Sequence, residues 1–493
     1  MKTTIPERGM TRGAILAALT DLRRQDLQSD GHAFAFVYDP GEEAQSIARE
    51  AFAACMGING LDPTVYPSAR GIENAIVQAC LELVRAPAGA AGTATAGGTE
   101  SVMLAVKAAR DNARRTRPEI KHLRMLVPET AHACFHKAAA YLGVELVRVD
   151  VDDTFRASVE DARRKMTRDV ILVVGSAPSY AHGVVDPIPE LAALAREHGA
   201  FMHVDACVGG WVLPFLRESG VPVPAFDFDV PGVTSLSLDL HKYGFAPKGV
   251  SALLMRDRSL RDAHYFACAR WSGYSIVNST TLGSKSVAAM GAALAVMQHL
   301  GREGYRRHAQ QMWEATLLLC DAVEQTPGLR LLARPDMNLF AFTTSAAGKP
   351  RAGDLFELSD RLLARGWHVQ PTYSFGRSPA HIHLTLDPGN AAHAAAFAAD
   401  LRNAARDLPP QTPPPAPLLA ALESLVSGNA TGSKMNTHML MGALGIKDGQ
   451  MPARAAGIHR LLDAASPDVR EALLVSFVGE LFTQPEETPH GSP

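Results

Sequence analysis

The chain has 493 residues, a length that corresponds to roughly two to four domains. Its 48 Lys and Arg residues nearly balance its 51 Asp and Glu residues, so the net charge of −3 excludes a strong positive field for nucleic acid or an anionic membrane. The six cysteines are scattered without a CxxC pair or metal-ligand spacing, which indicates reduced thiols and argues against a disulfide framework. Charges interrupt the N-terminal stretch, and no apolar run approaches the roughly 20 residues of a membrane span. We therefore expect a soluble, cytoplasmic protein with no secretion signal and no transmembrane anchor.

The first half of the chain predicts a helical start followed by alternating strands and helices. Apolar residues recur at helical spacing within residues 42–56 and 72–83. Beyond Gly98, the predicted strands lie near Leu123–Val127, Val144–Val149, Val170–Val174 and Phe201–Val204, and the predicted helices near Glu100–Arg114, Ala133–Leu142 and Ile188–Glu197. Such alternation indicates an α/β domain whose mostly parallel sheet is covered by helices.

The second half predicts a smaller domain and a tail. Two strand-like runs, Val233–Leu238 and Val250–Leu254, are followed by a helical stretch over residues 287–325. Isolated strand patterns at Leu339–Thr343 and Ile382–Leu386 then indicate a smaller α+β domain. We predict an N-terminal helical segment (1–60), a large α/β domain (61–310), a small C-terminal α+β domain (311–407), a stiff proline-rich linker (408–417) and a helical tail (418–493).

Lys242 is the first candidate for chemistry. It lies in Ser-Leu-Asp-Leu-His-Lys-Tyr-Gly, just past the predicted strand Val233–Leu238, so its amine would project from the carboxyl edge of the sheet, where α/β ligand sites form. A lysine chosen at random is usually a solvated surface group. The neighbouring His241 and the strand end favour a functional role here.

Three further features fall at positions where a ligand would be held. Asp205 ends a predicted strand 37 residues before Lys242 (242 − 205 = 37), although an aspartate there is often only a cap or turn former. The run Thr95-Ala-Gly-Gly-Thr-Glu-Ser101 opens a predicted helix, and N–H groups near Gly97, Gly98 and Thr99 can meet an anion unless the run is an ordinary helix cap. His132 begins the next predicted helix and is a flat group that would otherwise be a capping or core histidine.

Together these features match the needs of pyridoxal phosphate. That cofactor requires a lysine for its aldehyde, an acid beside its pyridinium nitrogen, a cradle for its phosphate and a flat group stacked on its ring. We therefore predict a pyridoxal-phosphate enzyme in which Lys242 holds the cofactor as a Schiff base.

Five segments carry a resemblance to a known family. They are Thr-Ala-Gly-Gly-Thr-Glu-Ser (95–101), Ala-His-Ala-Cys-Phe-His-Lys-Ala-Ala (131–139), His-Gly-Val-Val-Asp-Pro-Ile-Pro-Glu (182–190), His-Val-Asp-Ala-Cys-Val-Gly-Gly (203–210) and Asp-Leu-His-Lys-Tyr-Gly-Phe-Ala-Pro-Lys-Gly (239–249). The chain resembles the sphingosine-1-phosphate lyases, within the pyridoxal-phosphate group that also contains glutamate and aromatic amino-acid decarboxylases. The resemblance implies the aspartate-aminotransferase-like fold, called fold type I, and a homodimer with shared active sites. The implied activity is retro-aldol cleavage of a phosphorylated long-chain base.

The resemblance also implies roles for individual residues. Lys242 would hold the cofactor, Asp205 would pair with the pyridinium, His132 would stack on the ring, and Gly98, Thr99 and His241 would hold the phosphate. Residues matching further family site positions are Tyr38, Asn59, Tyr180, His203 and Lys248, with Thr280, Gly283 and Ser284 on the segment that reaches the partner's cofactor. Because a phenol has a pKa of about 10, Tyr38 or Tyr180 would need a nearby cation such as Lys248 to act as a base.

Three departures from the family pattern bear on the substrate. Asp62 stands where the family has a histidine that contributes to anion binding, Lys285 replaces an arginine, and Ala96 replaces a serine. A carboxylate 4 Å from a phosphate would cost on the order of 4 kcal/mol at an effective dielectric of about 20, so Asp62 bears on head-group selectivity. Two alternatives to the lyase stay open: an amino-acid decarboxylase on the same cofactor, which the segment after Lys242 disfavours, and a catalytically silent scaffold.

Overall fold

The computed structural model describes residues 5–346, 352–417, 419–420, 422–423 and 454–482. Within this part the helices are α1 (Arg12–Leu22), α2 (Glu42–Cys55), α3 (Pro67–Leu83), α4 (Gly98–Thr116), α5 (Cys134–Leu142), α6 (Val159–Lys165), α7 (Ile188–Glu197), α8 (Leu213–Glu218), α9 (Arg258–Asp262), α10 (Ala288–Glu324), α11 (Leu355–Leu363), α12 (Pro388–Ala391), α13 (Ala394–Ala404), α14 (Ala456–Ala464) and α15 (Pro467–Leu481). None of these helices has the length and apolarity needed to span a membrane.

Three sheets accompany the helices. Their strands are β1 (Ala91–Thr95), β2 (Arg124–Pro128), β3 (Glu145–Val149), β4 (Val170–Ser176), β5 (Phe201–Asp205), β6 (Ser235–Leu238), β7 (Ser251–Met255), β8 (Phe266–Cys268), β9 (Ile276–Asn278), β10 (Leu329–Leu331), β11 (Leu339–Thr344), β12 (Gln370–Thr372) and β13 (His381–Thr385). Strands β8 and β9 form a separate two-stranded ribbon.

The large sheet has seven strands in the order β1-β7-β6-β5-β4-β2-β3. All neighbours from β6 to β3 run parallel, while β7 is antiparallel to both β1 and β6. Every residue of the central strand β4 is buried, as its β-branched composition requires when helices cover both faces of a sheet. The predicted α/β fold with a mostly parallel sheet is confirmed.

The smaller sheet is antiparallel in the order β10-β11-β13-β12 and has its own core, which includes Phe340, Phe342 and Phe397. Strands β11 and β13 correspond to the two isolated strand patterns of the sequence. Strands β10 and β12 have three residues each, too few to produce a readable period. The N-terminal segment also packs here, because Ala33 bridges His368 and the buried Phe34 belongs to this core.

Helix α10 runs through the boundary predicted at residue 310 and bends at Gly301, whose φ of 55° departs from the helix. The proline-rich stretch lies along the small domain, where Asp354 N donates to Pro409 O (2.8 Å) and Gln411 N donates to Ala352 O (3.0 Å). Most of the predicted helical tail lies outside the described residues. The proposed domain boundaries therefore remain predictions.

Helix α14 docks on α11 through paired polar groups. The Asp360 carboxylate accepts from the backbone N–H groups of Ala455 (3.1 Å) and Ala456 (3.0 Å), so it caps the start of α14. Near the other end of α14, Asp463 accepts from the backbone N–H of Ser374 (2.6 Å), just past β12. The described part of the tail is thereby attached to the edge of the small sheet.

Candidate active site

Lys242 lies in a tight turn between β6 and the antiparallel β7, at the carboxyl edge of the large sheet. A Cβ on Gly244 would stand 2.6 Å from Leu240 O, so the turn requires a glycine there. The Lys242 ammonium lies 3.0 Å from the Asp239 carboxylate. Burial by itself would lower the pKa of Lys242, but nearby acidic groups, above all the Asp239 carboxylate, outweigh it and raise that pKa.

Asp205 ends β5, which lies next to β6 at the edge of the sheet's parallel part, and its side chain is buried. Its Oδ1 accepts from Cys207 N (3.0 Å) and from Ser237 Oγ (3.4 Å). Burial opposes ionisation, but the Cys207 hydrogen bonds and the charges of His132 and Lys242 hold the carboxyl pKa below its usual value. Asp205 is therefore an ionised carboxylate that is largely buried from solvent.

His203 lies behind Asp205 and does not line the cavity. Its Nδ1 is 2.9 Å from Ser235 Oγ and its Nε2 is 3.3 Å from Ser237 Oγ, the hydroxyl that also reaches Asp205. Burial lowers the pKa of His203 to about 4, so the ring is neutral at physiological pH. Its position supports an orienting contribution through Ser237.

The glycine-rich run opens α4 at Gly98. A Cβ on Gly98 would stand 2.8 Å from both carboxylate oxygens of Asp239 and 2.9 Å from Cys207 Sγ, so no side chain fits there. The Ser101 hydroxyl bonds Thr95 (2.7 Å) and Ser251 (3.0 Å) instead of capping the helix. Ala96, just before the two glycines, is also held in place, because its backbone N–H donates to Glu100 Oε2 (2.6 Å).

A cavity of about 960 Å³ brings most of the predicted site residues together. Those that line it are Tyr38, Gly97, Gly98, Thr99, His132, Tyr180, Asp205, His241, Lys242 and Lys248, and Ala96 also lies in its wall. His132 Nδ1 accepts from Cys134 N (3.2 Å). His241 Nδ1 is 2.7 Å from Val250 O and donates to it.

The remaining predicted residues do not line this cavity within one chain. Thr280 and Gly283 line a second cavity of about 260 Å³ together with Lys285 and the loop that follows Asn59. Asn59 bridges Ser286, which directly follows Ser284 and Lys285 in the chain, and Gly60 N donates to Lys285 O (2.6 Å). Lys285 itself is buried against Glu73 (2.9 Å) and Ala94 O (2.6 Å).

Asp62 is exposed on the same loop. Its Oδ1 accepts from Thr64 N (2.8 Å) and from the Thr64 hydroxyl, and these bonds hold the pKa of the carboxyl below its usual value. The Asp62 carboxylate therefore makes hydrogen bonds within its own loop. It does not line the cavity that contains Lys242.

The expected lowering of the phenol pKa is not observed. The Lys248 ammonium lies 4.6 Å from the ring centre of Tyr38 and donates to His241 O (3.0 Å), so it faces the ring and a carbonyl. Burial raises the pKa of both Tyr38 and Tyr180, because losing water penalises a phenolate more than Lys242 stabilises it. Burial and the charge of Lys242 lower the pKa of Lys248. The phenols are thus proton donors at neutral pH.

Two polar residues that contact the site were not predicted from the sequence. Gln370 Oε1 accepts from the Tyr180 hydroxyl (2.8 Å) across 190 residues of sequence, a contact that no local pattern indicates. Asp239 pairs with Lys242 from three residues away, and that spacing could have been read as an ion pair. Asp239 Oδ1 is buried without a hydrogen-bond partner among the described residues.

Tyr180 also packs on His383, with 4.2 Å between ring centres. Burial, together with His381, lowers the pKa of His383 from 6.5 to about 3. Because the unfolded chain binds this proton more readily, the contribution of neutral His383 to stability is complete above pH 6.5 and falls as the pH drops toward 3. We expect the difference in unfolding free energy between wild type and His383→Gln to decrease by about 1 kcal/mol per pH unit in that window.

Urea unfolding at a series of pH values measures this difference. Burial raises the pKa of Asp387 to about 7 and that of Asp186 to about 6, which gives the opposite pH slope over much of the same range. Subtracting the variant's curve from the wild-type curve cancels those contributions. Parallel curves would show that His383 does not titrate differently in the folded and unfolded states.

The cavity fits pyridoxal phosphate on the chemistry of its walls. Lys242 supplies an amine, Asp205 an ionised carboxylate, His132 a flat ring, and the start of α4 a helix N-terminus at which a Cβ on Gly98 would crowd Asp239 and Cys207. The unpartnered oxygen of Asp239 beside Lys242 shows that the polar groups of this wall are not fully satisfied by the chain itself.

Comparisons with known proteins agree with this fit. The pyridoxal-dependent decarboxylase conserved domain matches residues 24–345, and a C-terminal helix-turn-helix domain of pyridoxal-dependent enzymes matches residues 399–480. A sphingosine-1-phosphate lyase of Arabidopsis thaliana is 37% identical over 402 residues, 79% of this chain and 71% of that protein. A protein of Methanothermobacter thermautotrophicus named "Probable L-tyrosine/L-aspartate decarboxylase" is 34% identical, over 69% of this chain and 89% of its own length.

A solved structure extends the likeness to three dimensions. The sphingosine-1-phosphate lyase of Burkholderia pseudomallei K96243 superposes with a TM-score of 0.78 and 32% sequence identity, covering 87% of this chain and 97% of that one. The chain belongs to the pyridoxal-dependent decarboxylase family and, within it, to the sphingosine-1-phosphate lyases, whose cofactor is pyridoxal 5′-phosphate.

Proposed function

We propose that this chain is a carbon–carbon lyase that cleaves phosphorylated long-chain bases, such as sphingosine-1-phosphate, into a fatty aldehyde and phosphoethanolamine. The observation that carries the proposal is a single cavity that contains the Lys242 amine, the ionised Asp205 carboxylate and the Lys248–Tyr38 pair. Lys242, Asp205, His132 and the turn Gly97–Thr99 would hold the cofactor.

The reaction moves two protons and one electron pair. The carbon 3 hydroxyl loses its proton, the bond between carbon 2 and carbon 3 breaks, and carbon 2 gains a proton, so the two products together contain every atom of the substrate. When bound, pyridoxal phosphate supplies the electron sink for the pair released at carbon 2. The chain's own ionised Asp205 would pair with the ring nitrogen and favour its protonated form.

We assign the proton transfers to Lys248, Tyr38 and Tyr180 as one acid/base group. The lowered pKa of Lys248 makes its amine form more accessible than that of an exposed lysine, whereas burial keeps both phenols protonated. Lys248 is therefore suited to accept the hydroxyl proton, and the tyrosines to donate one.

A substrate panel tests the proposal. Purified protein would be incubated with phosphorylated long-chain bases, the same bases without phosphate, and a set of amino acids including glutamate, tyrosine and aspartate. Mass analysis should find a fatty aldehyde and phosphoethanolamine in equal amounts from the phosphorylated bases. Release of carbon dioxide from an amino acid, without aldehyde from any base, would identify a decarboxylase instead.

We further propose a homodimer in which each chain completes the other's site. Support comes from two segments distant in sequence, the loop after Asn59 and residues 280–285, which meet at the second cavity, while Thr281 of the same segment reaches the wall of the cavity that contains Lys242. The adjacent ribbon β8–β9 exposes Phe266, Trp271 and Tyr274, as an unfilled contact surface would.

Mixed dimers test this arrangement. A Cβ on Gly283 meets nothing within 4 Å in its own chain, so Gly283→Trp should fold but obstruct a partner's site. Neither Gly283→Trp nor Lys242→Ala should be active alone, while their co-expression should restore about a quarter of wild-type activity, because half of the dimers carry one intact site. No recovery in a preparation shown to contain mixed dimers would refute shared sites.

Asp62 gives a prediction about head-group selectivity. Because its carboxylate is exposed and held by Thr64, salt screens its charge, and we expect Asp62→His to change kcat/KM for phosphorylated and plain sphingosine by less than about threefold. Steady-state kinetics of both substrates at two salt concentrations measure this. A large gain confined to the phosphorylated base would show that Asp62 opposes the phosphate.

The cytoplasmic location remains a proposal. It is supported by six free cysteines, none of which forms a disulfide. Fractionation of cells that produce the protein, followed by immunodetection in the soluble and membrane fractions, tests it.

A further inference from the structure

Phe36 is an exposed aromatic residue at the mouth of the cavity, in a backbone conformation that bulky residues rarely adopt. Its φ is 67°, in the left-handed region where glycine or asparagine is usual. The residue is 61% exposed, yet it lines the same cavity as Lys242. With the His368 ring as its aromatic neighbour (6.5 Å between ring centres) and most of its surface exposed, Phe36 gains little packing for folding in this strained turn, which points to a ligand contact.

The backbone on either side of Phe36 is fixed. Phe34 N donates to His368 O (2.9 Å) and Phe34 O accepts from Thr385 N (2.7 Å), so the backbone two residues before Phe36 is anchored to the small sheet. On the other side Asp39 N donates to the Asp387 carboxylate (3.1 Å). The left-handed turn therefore places the Phe36 ring at a defined position.

The cavity is polar at its base, and its mouth carries large rings together with Lys137, whose ammonium lies 5.4 Å from the ring centre of Tyr141. Lys242 and Asp205 lie deep in it, whereas Tyr141, which is 69% exposed, and the partly buried Met103 line it nearer to solvent with Phe36. A substrate whose head group occupies the base must extend any attached chain past these side chains. Apolar rings at that place can remove methylene groups from water.

We infer that Phe36, with Tyr141, receives the alkyl chain of the substrate and sets the enzyme's chain-length preference. This inference rests on the proposed function, because it assigns the mouth to the tail of a phosphorylated long-chain base. Phe36 acts as a specificity residue and takes no part in proton transfer. Replacing Phe36 should therefore lower kcat/KM mainly for substrates with long alkyl chains.

The test uses phosphorylated bases that differ in chain length by two methylenes per step, each below the concentration at which it forms micelles. Each methylene that leaves water is worth up to about fourfold in kcat/KM for the wild type. Phe36→Ala should lose about tenfold on the longest base and less than about twofold on the shortest. Tyr141→Ala should lose less, in the same direction. Phe482→Ala, which truncates another exposed ring, is the control and should match the wild type.

Phe36→Gly separates the ring from the backbone strain. Glycine adopts the left-handed conformation without cost, so this variant should melt no lower than Phe36→Ala while losing the same dependence on chain length. An unchanged slope of kcat/KM against chain length in both variants would overturn the inference even though long-chain bases are cleaved. Equal losses on short and long bases, with a change in apparent mass, would overturn it in favour of a subunit contact. Failure of the wild type to cleave any base would refute the proposed function instead.

Discussion

Replacing Lys242 with alanine should abolish covalent attachment of the cofactor and lower turnover by at least about 10⁴-fold, which corresponds to ~5.5 kcal/mol of lost transition-state stabilisation. The amine lies in a turn at the carboxyl edge of the sheet and lines the cavity together with the ionised Asp205. In the wild type, borohydride should fix the cofactor to the peptide that contains Lys242. Mass spectrometry of the digested protein, alongside turnover measured with a phosphorylated long-chain base, checks both expectations.

Two control variants separate the amine's chemistry from its charge. Lys242→Ala leaves the Asp239 carboxylate without the ammonium 3.0 Å away, so part of its effect could be structural. Lys242→Arg keeps a cation beside Asp239 but provides no amine for the aldehyde, and we expect it to be stable and equally inactive. Lys248→Ala should retain covalent attachment. Borohydride fixation of the cofactor in Lys242→Arg would show that Lys242 is not the attachment site. Lys248 would then be the next candidate.

Asp205→Asn should leave cofactor binding largely intact and slow cleavage by about 10²–10³-fold. The asparagine keeps the shape of the side chain and its hydrogen bond from Cys207, but it removes the negative charge that would stabilise a proton on the ring nitrogen. The loss should therefore fall on kcat, with KM changed little. Cofactor titration by absorbance and steady-state kinetics measure the two effects separately.

His203 offers a graded comparison for Asp205. Its ring reaches the carboxylate only through Ser237, so His203→Gln should reduce kcat by less than Asp205→Asn does. Near-normal turnover of Asp205→Asn would remove the aspartate from its assigned role. Loss of cofactor binding together with turnover would instead make it a binding residue.

The large domain was predictable because its strands are apolar runs with clear ends. The pattern at 170–174 became β4, and the strand that ends at Asp205 became β5, within one or two residues. Strand β1, Ala-Gly-Thr-Ala-Thr, was not predicted, because it lacks large apolar residues and is specified by its pairing with β7. Strand β12 was missed for its three-residue length.

The candidate site was predictable only in part, for a similar reason. Lys242 and Asp205 carry a local signal, since each follows or ends a buried strand. Tyr38 entered only through the family resemblance, and Gln370 not at all, because their places in the site depend on tertiary contacts. The sequence also could not indicate that the pKa of each phenol is raised, because the increase follows from burial in the folded chain.

The docking of α14 has a consequence for any shortened form of the protein. Removing the chain from residue 454 onward would leave the Asp360 carboxylate without its two backbone donors and Ser374 without Asp463. Ser374 lies just past β12, whose Gln370 holds the hydroxyl of Tyr180. A truncation far from the cavity would therefore loosen one phenol at the centre of the proposed proton transfers, while the residues that would bind the cofactor stay in place.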